Sequence, residues 1–262
     1  MRRCVGEDLP QAEFDELVRR AFQSYARYWV ESFRLPTLPT SVVDASVSYE
    51  GVEHLLAARE TGTGAMVVCP HSGGWEWAAY FLSSVLGMPV TAVVEPVEPP
   101  ELFEFFRTFR AELGMHVVPL GAGAGTAVIK ALAAGHIIPL LADRDIEGNG
   151  VEVEFFGERT TLPAGPATIA LRTGAPLCPG AMYFSGDGHR PVIRPPLPVE
   201  RQGRLRDDVT RITQALAHEL EDLIRAAPDQ WHLQQPNWPS DDEALEALRR
   251  RRPRPGATAA SR

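Results

Sequence analysis

Between Ala65 and Ala142, short apolar runs alternate with amphipathic stretches of about ten residues, and this alternation constrains the fold more than any other feature. The runs are Ala65–Cys69, Pro89–Val94, Met115–Leu120 and Ile137–Ala142. They are short, rich in Val, Ile and Leu, and apolar throughout, so they read as strands buried on both faces. The spacing between them predicts helices over Trp75–Leu86, Leu102–Leu113 and Thr126–Ala134, with Gly114 and Gly135 as stops for the last two. The expected fold is therefore α/β, with a central, mostly parallel sheet flanked by helices on both faces. Later segments extend it: a hairpin arm near Val151–Phe156, a helix over Pro166–Thr173, strands at Leu177–Phe184 and Pro191–Ile193, and a helix over Val209–Ala226. A short strand at residues 47–49 and a helix at Val52–Arg59 precede the alternation.

The chain has 262 residues, enough for one such domain with a full core. No repeat or linker divides it, so residues 1–242 read as a single domain. Residues 243–262 read as a charged tail that frays, with Arg249–Arg252 in a row. A net charge of −8 argues against nucleic acid as a partner, because phosphate contacts need a basic face. It does not exclude an anionic membrane, where local charge decides. The three cysteines have no metal-type spacing and read as buried apolar side chains in a reduced compartment. No run reaches the 18 or so apolar residues of a transmembrane helix, and the start lacks the apolar core of a signal peptide. The expectation is a cytoplasmic chain whose membrane contact, if any, is peripheral.

Residues 12–34 supply a candidate for that contact. Phe14, Leu17, Val18, Phe22, Tyr25, Trp29 and Phe33 recur at helical spacing, with Arg19, Arg20, Arg27 and Arg34 among them. Such a helix packs on its own domain or lies in a lipid interface.

The strongest chemical feature is His71-Ser-Gly-Gly-Trp-Glu76, which follows a buried strand and precedes a helix. Ligands of parallel sheets gather at the C-terminal ends of strands. A histidine there, beside Gly73 and Gly74 and with a carboxylate five residues on, has the parts of a general base. Asp143-Arg144-Asp145 ends the strand Ile137–Ala142, where charges do not serve the core; it reads equally as a solvated turn. Arg110 is a candidate phosphate ligand, and Phe155 and Phe156 are either core or an arm over an apolar substrate. A rival site is the loop Gly121-Ala-Gly123-Ala-Gly125, with Asp143 ending the next strand. That order resembles a dinucleotide site, but Thr126 stands where the third glycine belongs. No G-x-S-x-G elbow, HExxH or paired-histidine zinc motif is present, so no metal is expected.

HSGGWE resembles the H-x4-D/E motif of glycerolipid-type acyltransferases. The stretches RAFQSYARYWVESFRLP, FRAELGMHVVPLG, LLADRDIEGNGVEVEFFGERTTLPAGPATIALRTGAPLCP and PDQWHLQQPNWPSD are similar to the phosphatidylinositol mannoside branch of the bacterial lipid A acyltransferase family. The likeness covers most of residues 15–242. It implies transfer of a fatty acyl group from acyl-CoA, or from acyl carrier protein, to a glycolipid hydroxyl at the inner face of the plasma membrane, with no cofactor. The acceptor it implies is a phosphatidylinositol mannoside; another glycolipid or a secondary metabolite, a non-catalytic lipid-binding relative and a nucleotide-binding enzyme are the alternatives. By the same resemblance His71 takes the acceptor proton and the DRD carboxylate, Asp143, is its relay partner. The branch is expected to carry Glu at that position and Asp more often at the end of the H-x4 motif, so Glu76 stays a second candidate. Arg110 and Arg144 would bind substrate, Phe155 and Phe156 would cover the acyl chain, and the N–H groups near Gly73 and Gly74 would stabilise the oxyanion.

Overall fold

In a computed structural model of the chain, the structure describes residues 1–251. Ten α-helices are described: α1 (Arg2–Val5), α2 (Gln11–Arg34), α3 (Thr40–Ala45), α4 (Glu53–Glu60), α5 (Trp75–Tyr80), α6 (Pro100–Glu112), α7 (Ala124–Ala133), α8 (Gly165–Thr173), α9 (Leu205–Ala226) and α10 (Pro239–Arg251). The strands are β1 (Ala65–Cys69), β2 (Val90–Val94), β3 (Met115–Pro119), β4 (Ile137–Leu141), β5 (Val151–Phe155), β6 (Glu158–Leu162), β7 (Leu177–Ser185) and β8 (Gly188–Ile193).

Six strands form one sheet in the order β3-β2-β4-β1-β7-β8, and β5 and β6 form a separate antiparallel hairpin. All neighbours in the large sheet are parallel except β8, which returns antiparallel along β7. The fold is α/β, as the alternation predicts.

The two faces of the sheet carry two separate cores. Successive side chains of a strand point to opposite faces. In β1, Met66 and Val68 join the core under α7, α8, α9 and the hairpin. Ala65 and Val67 join the core under α3 to α6. This double burial is why β1 reads as an unbroken apolar run.

Four sequence expectations change. In place of the strand expected at residues 47–49, Val47 and Glu50 make isolated bridges to His189 and Val192 of β8. The segment meets the sheet only at its edge strand. The helix expected through Leu86 turns π-helical over Phe81–Val85. Residues 243–251 of the expected frayed tail belong to α10, and the remainder of that tail lies outside the described residues. Gly121–Gly125 follows the edge strand β3, and β2 separates β3 from β4. The glycine loop and Asp143 are therefore not on neighbouring strands, as a dinucleotide site requires. Among the described residues no helix is long and apolar enough to cross a membrane.

The α9 helix seals one core with Leu216, Leu220 and Ile224. Leu220 is fully buried, so Leu220→Ala should cost about 2–5 kcal/mol of stability. Urea unfolding should register the loss as a lower midpoint with an unchanged slope.

Candidate active site

Register brings His71 and Asp143 together. Cys69 and Leu141 are the last paired residues of the adjacent parallel strands β1 and β4. His71 and Asp143 each lie two residues beyond, so they emerge side by side at the C-terminal edge, about 4.8 Å apart in strand spacing. His71 Nδ1 lies 2.6 Å from Asp143 Oδ1, and the His71 backbone N–H donates to Asp143 Oδ2 at 3.0 Å. A carboxylate only accepts, so Nδ1 carries the proton and Nε2 the lone pair. Nε2 makes no hydrogen bond among the described residues, and the ring is part-exposed.

Asp143 is completely buried. Trp231 Nε1–H donates to its Oδ2 at 2.7 Å, and Asn237 Nδ2 donates to its backbone carbonyl at 2.9 Å. Burial pushes the carboxyl up, but the His71 ring and the hydrogen bonds of His71 and Trp231 outweigh it and hold Asp143 below the usual range. For His71, burial favours the neutral ring, while Asp143 raises the affinity for a proton and prevails.

Glu76 stands apart from this pair. It is buried, and it accepts from Tyr28 Oη at 2.8 Å and Arg110 Nη2 at 3.1 Å. Burial raises its pKa against the pull of Arg110 and Tyr28. Of the two candidate relay carboxylates, only Asp143 is hydrogen-bonded to His71. Arg110 is spent on Glu76 and stacked near Trp75 and Phe106. Arg144 pairs with Glu95, and Asp145 closes a local turn by accepting from the N–H groups of Gly148 and Gly150.

Gly73 has φ +55°, and a Cβ there would lie 2.1 Å from the Met182 carbonyl oxygen, so only glycine fits. Its N–H donates to Gln230 O at 3.1 Å, which removes it from the expected oxyanion donors. Phe155 and Phe156 are core residues on the far face of the sheet, packed around Trp231 and Trp238. They back the indole that donates to Asp143 and are not among the residues lining the apolar cavity beside the His71 loop.

A narrow apolar cavity does open beside the histidine, on the opposite face. Pro70, Ser72 and Trp75 line it at the His71 loop, with Ala78 and Phe81 of the helix beneath. Its walls are almost wholly apolar, with Val67, Leu82, Met182 and Ile193 among them. Its walls draw on five adjacent strands, from Ala92 of β2 to Ile193 of β8, a span of about 19 Å at the usual strand spacing.

The sequence reading missed what closes the site. The segment after α9 returns across the His71 loop: Ser72 bridges to Trp231, and His232 N–H donates to His71 O at 2.7 Å. His232 is pushed down to about 4 by burial and by facing His71, so it stays neutral; its Nε2 meets Ser24 Oγ of α2 at 2.9 Å. Two tryptophans in the polar stretch PDQWHLQQPNW were the one available signal.

The sequence profile of the bacterial lipid A biosynthesis acyltransferases matches residues 1–240. The chain belongs to that family. This acyltransferase is similar to the phosphatidylinositol mannoside acyltransferase of Mycolicibacterium smegmatis, at 39% identity over 245 residues that cover 92% of this chain and 78% of the relative. It is also similar to the phosphatidylinositol mannoside acyltransferase of Mycobacterium tuberculosis, at 38% identity over 88% of this chain and 73% of the relative.

The opposed effects on His71 give a signed prediction. Asp143→Asn removes what raises the ring's pKa and leaves burial, which lowers it. The ring should then titrate below the ordinary 6.5, whereas the wild-type ring titrates above it. An NMR titration of the His71 ring protons reads both; an unshifted midpoint would contradict the coupling.

Proposed function

We propose that this acyltransferase moves a fatty acyl group from acyl-CoA to a mannose hydroxyl of a phosphatidylinositol mannoside, with His71 as general base. The observation that carries this reading is a histidine whose Nδ1 is fixed by a buried carboxylate, whose Nε2 is free, and whose loop forms the mouth of an apolar cavity. The acyl chain lies in that cavity, with its thioester carbonyl at the His71 loop. The acceptor hydroxyl attacks the carbonyl carbon as Nε2 takes its proton. Asp143 stabilises the imidazolium. The tetrahedral intermediate collapses, the C–S bond breaks, and the departing thiolate takes the proton back from Nε2. An ester and a free thiol result, with no covalent enzyme intermediate. The mannoside acceptor is drawn from the two mycobacterial relatives.

Thiol release from palmitoyl-CoA, measured with a panel of glycolipids, tests this. Transfer should need the mannoside, and His71→Ala should lower turnover by at least the 100- to 10,000-fold or so of lost base catalysis, with unfolding unchanged. Near-normal turnover in His71→Ala would refute the assignment. Equal use of unrelated glycolipids would refute the acceptor.

The acceptor is a lipid, so the site has to face a bilayer, and we place that bilayer at the inner face of the plasma membrane. The α2 helix crosses the mouth of the site: Ser24 reaches His232, Tyr28 reaches Glu76, and Trp29 packs on Phe106 of α6. Its arginines are largely spent within the protein. Arg19 pairs with Glu16, Arg20 with Asp229 and Arg27 with Glu31. What α2 and α6 share outward is apolar: Phe22, Val30 and Phe33 with Leu102 and Phe105. Phe22 and Phe33 lie three helical turns apart on one face, and Phe33 touches Phe105. Docking therefore rests on these aromatics. Phe33→Ser with Phe105→Ser should abolish vesicle co-sedimentation and transfer to bilayer-embedded acceptor while sparing a short-chain soluble acceptor. Arg19→Glu with Arg20→Glu should change both less. The reverse order would place docking on charge.

A further inference from the structure

One buried polar group at the site has no partner and no role in the scheme above. Ser72 follows His71 directly, is 2% exposed, and its hydroxyl makes no hydrogen bond among the described residues. Ser72 is one of the residues that line the apolar cavity, together with Pro70 and Trp75. A hydroxyl shut away from water without a partner destabilises the fold, whereas alanine would fill the same space without that cost. Its place beside His71 points to a partner that arrives with the substrate.

The backbone around it narrows what that partner is. The N–H of Ser72 donates to Pro70 O at 2.8 Å, and the N–H of Gly73 donates to Gln230 O at 3.1 Å. The loop thus has its first amides committed and one side-chain donor free. Ser72 is held rigidly, since its backbone bridges to Trp231, the residue that also donates to Asp143. The hydroxyl and the His71 ring are consequently fixed by the same strut.

We propose that the Ser72 hydroxyl donates a hydrogen bond to the thioester carbonyl oxygen of the bound acyl donor and stabilises the negative charge that this oxygen acquires when the acceptor attacks. The role rests on the acyl-transfer reading. Ser72 is not a nucleophile here: its oxygen has no hydrogen bond to His71 or any other base, so nothing removes its proton. It keeps that proton throughout. The bond formed is acceptor oxygen to carbonyl carbon, the bond broken is carbon to sulfur, and the travelling proton passes through His71. A donor aimed at the oxyanion in a dry, apolar setting acts without reorganisation cost, and its loss slows the chemical step more than it weakens binding.

The test compares wild type and Ser72→Ala in thiol release from palmitoyl-CoA, in binding of S-hexadecyl-CoA, and in thermal unfolding. S-hexadecyl-CoA is a thioether that keeps the chain and nucleotide but lacks the carbonyl oxygen. The expected result is a kcat about 100- to 1,000-fold lower, as for removal of one oxyanion donor. Thioether affinity should be unchanged and the melting temperature equal or higher. A kcat within about tenfold of wild type would overturn the role, because such a donor is worth more than that. Lost thioether binding or a lowered melting temperature would also overturn it, since the hydroxyl would then be a packing element. Wild-type protein that releases thiol from neither palmitoyl-CoA nor palmitoylated carrier protein would overturn the acyl-transfer reading itself, and this role with it.

Discussion

The site depends on one buried charge. Asp143 has no solvent contact, and a carboxylate taken out of water costs several kcal/mol unless its oxygens are satisfied. Oδ1 meets the His71 ring; Oδ2 receives the His71 amide and the Trp231 indole. Each donor comes from an element placed for another structural reason. His71 ends a strand in register with β4, and Trp231 sits in an aromatic cluster with Phe155, Phe156 and Trp238. The His71 ring is the partner of Oδ1, so the cost of burying Asp143 holds the ring in its orientation.

A second buried carboxylate plays a different part. Glu76 binds Tyr28 of α2 and Arg110 of α6, and so pins both helices to the start of α5. Among the described residues only one of its oxygens is satisfied. The H-x4-D/E motif therefore does two structural jobs in six residues: its histidine pairs with Asp143, while its acid ties the surface helices to the site.

The fold was readable because the sheet is covered on both sides. The run at residues 65–69 matches β1 residue for residue, and the other three runs differ from their strands by a residue or so at one end. The partnership of His71 with Asp143 came from the family resemblance instead, because no local pattern reveals that β1 and β4 are neighbours or in what register they pair. What escaped the reading depends on the chain coming back. Neither Trp231 nor His232 has a local pattern that points to residue 71, and Ser24 sits in a helix whose periodicity reveals a face without naming its neighbour. The π-helical turn at Phe81–Val85 was invisible for another reason: its apolar spacing is close to that of an α-helix over so few residues. Phe155 and Phe156 misled because an aromatic pair beside a glycine fits core and substrate arm alike.

The strut from Trp231 to Asp143 joins residues 88 positions apart. During synthesis the six strands of the sheet are complete at Ile193, well before Trp231 leaves the ribosome. Until then Asp143 Oδ2 lacks the indole, the His71 loop lacks its bridge, and Ser24 lacks His232. The sheet can thus form, and set His71 level with Asp143, while the strut that holds the pair in place is still to come.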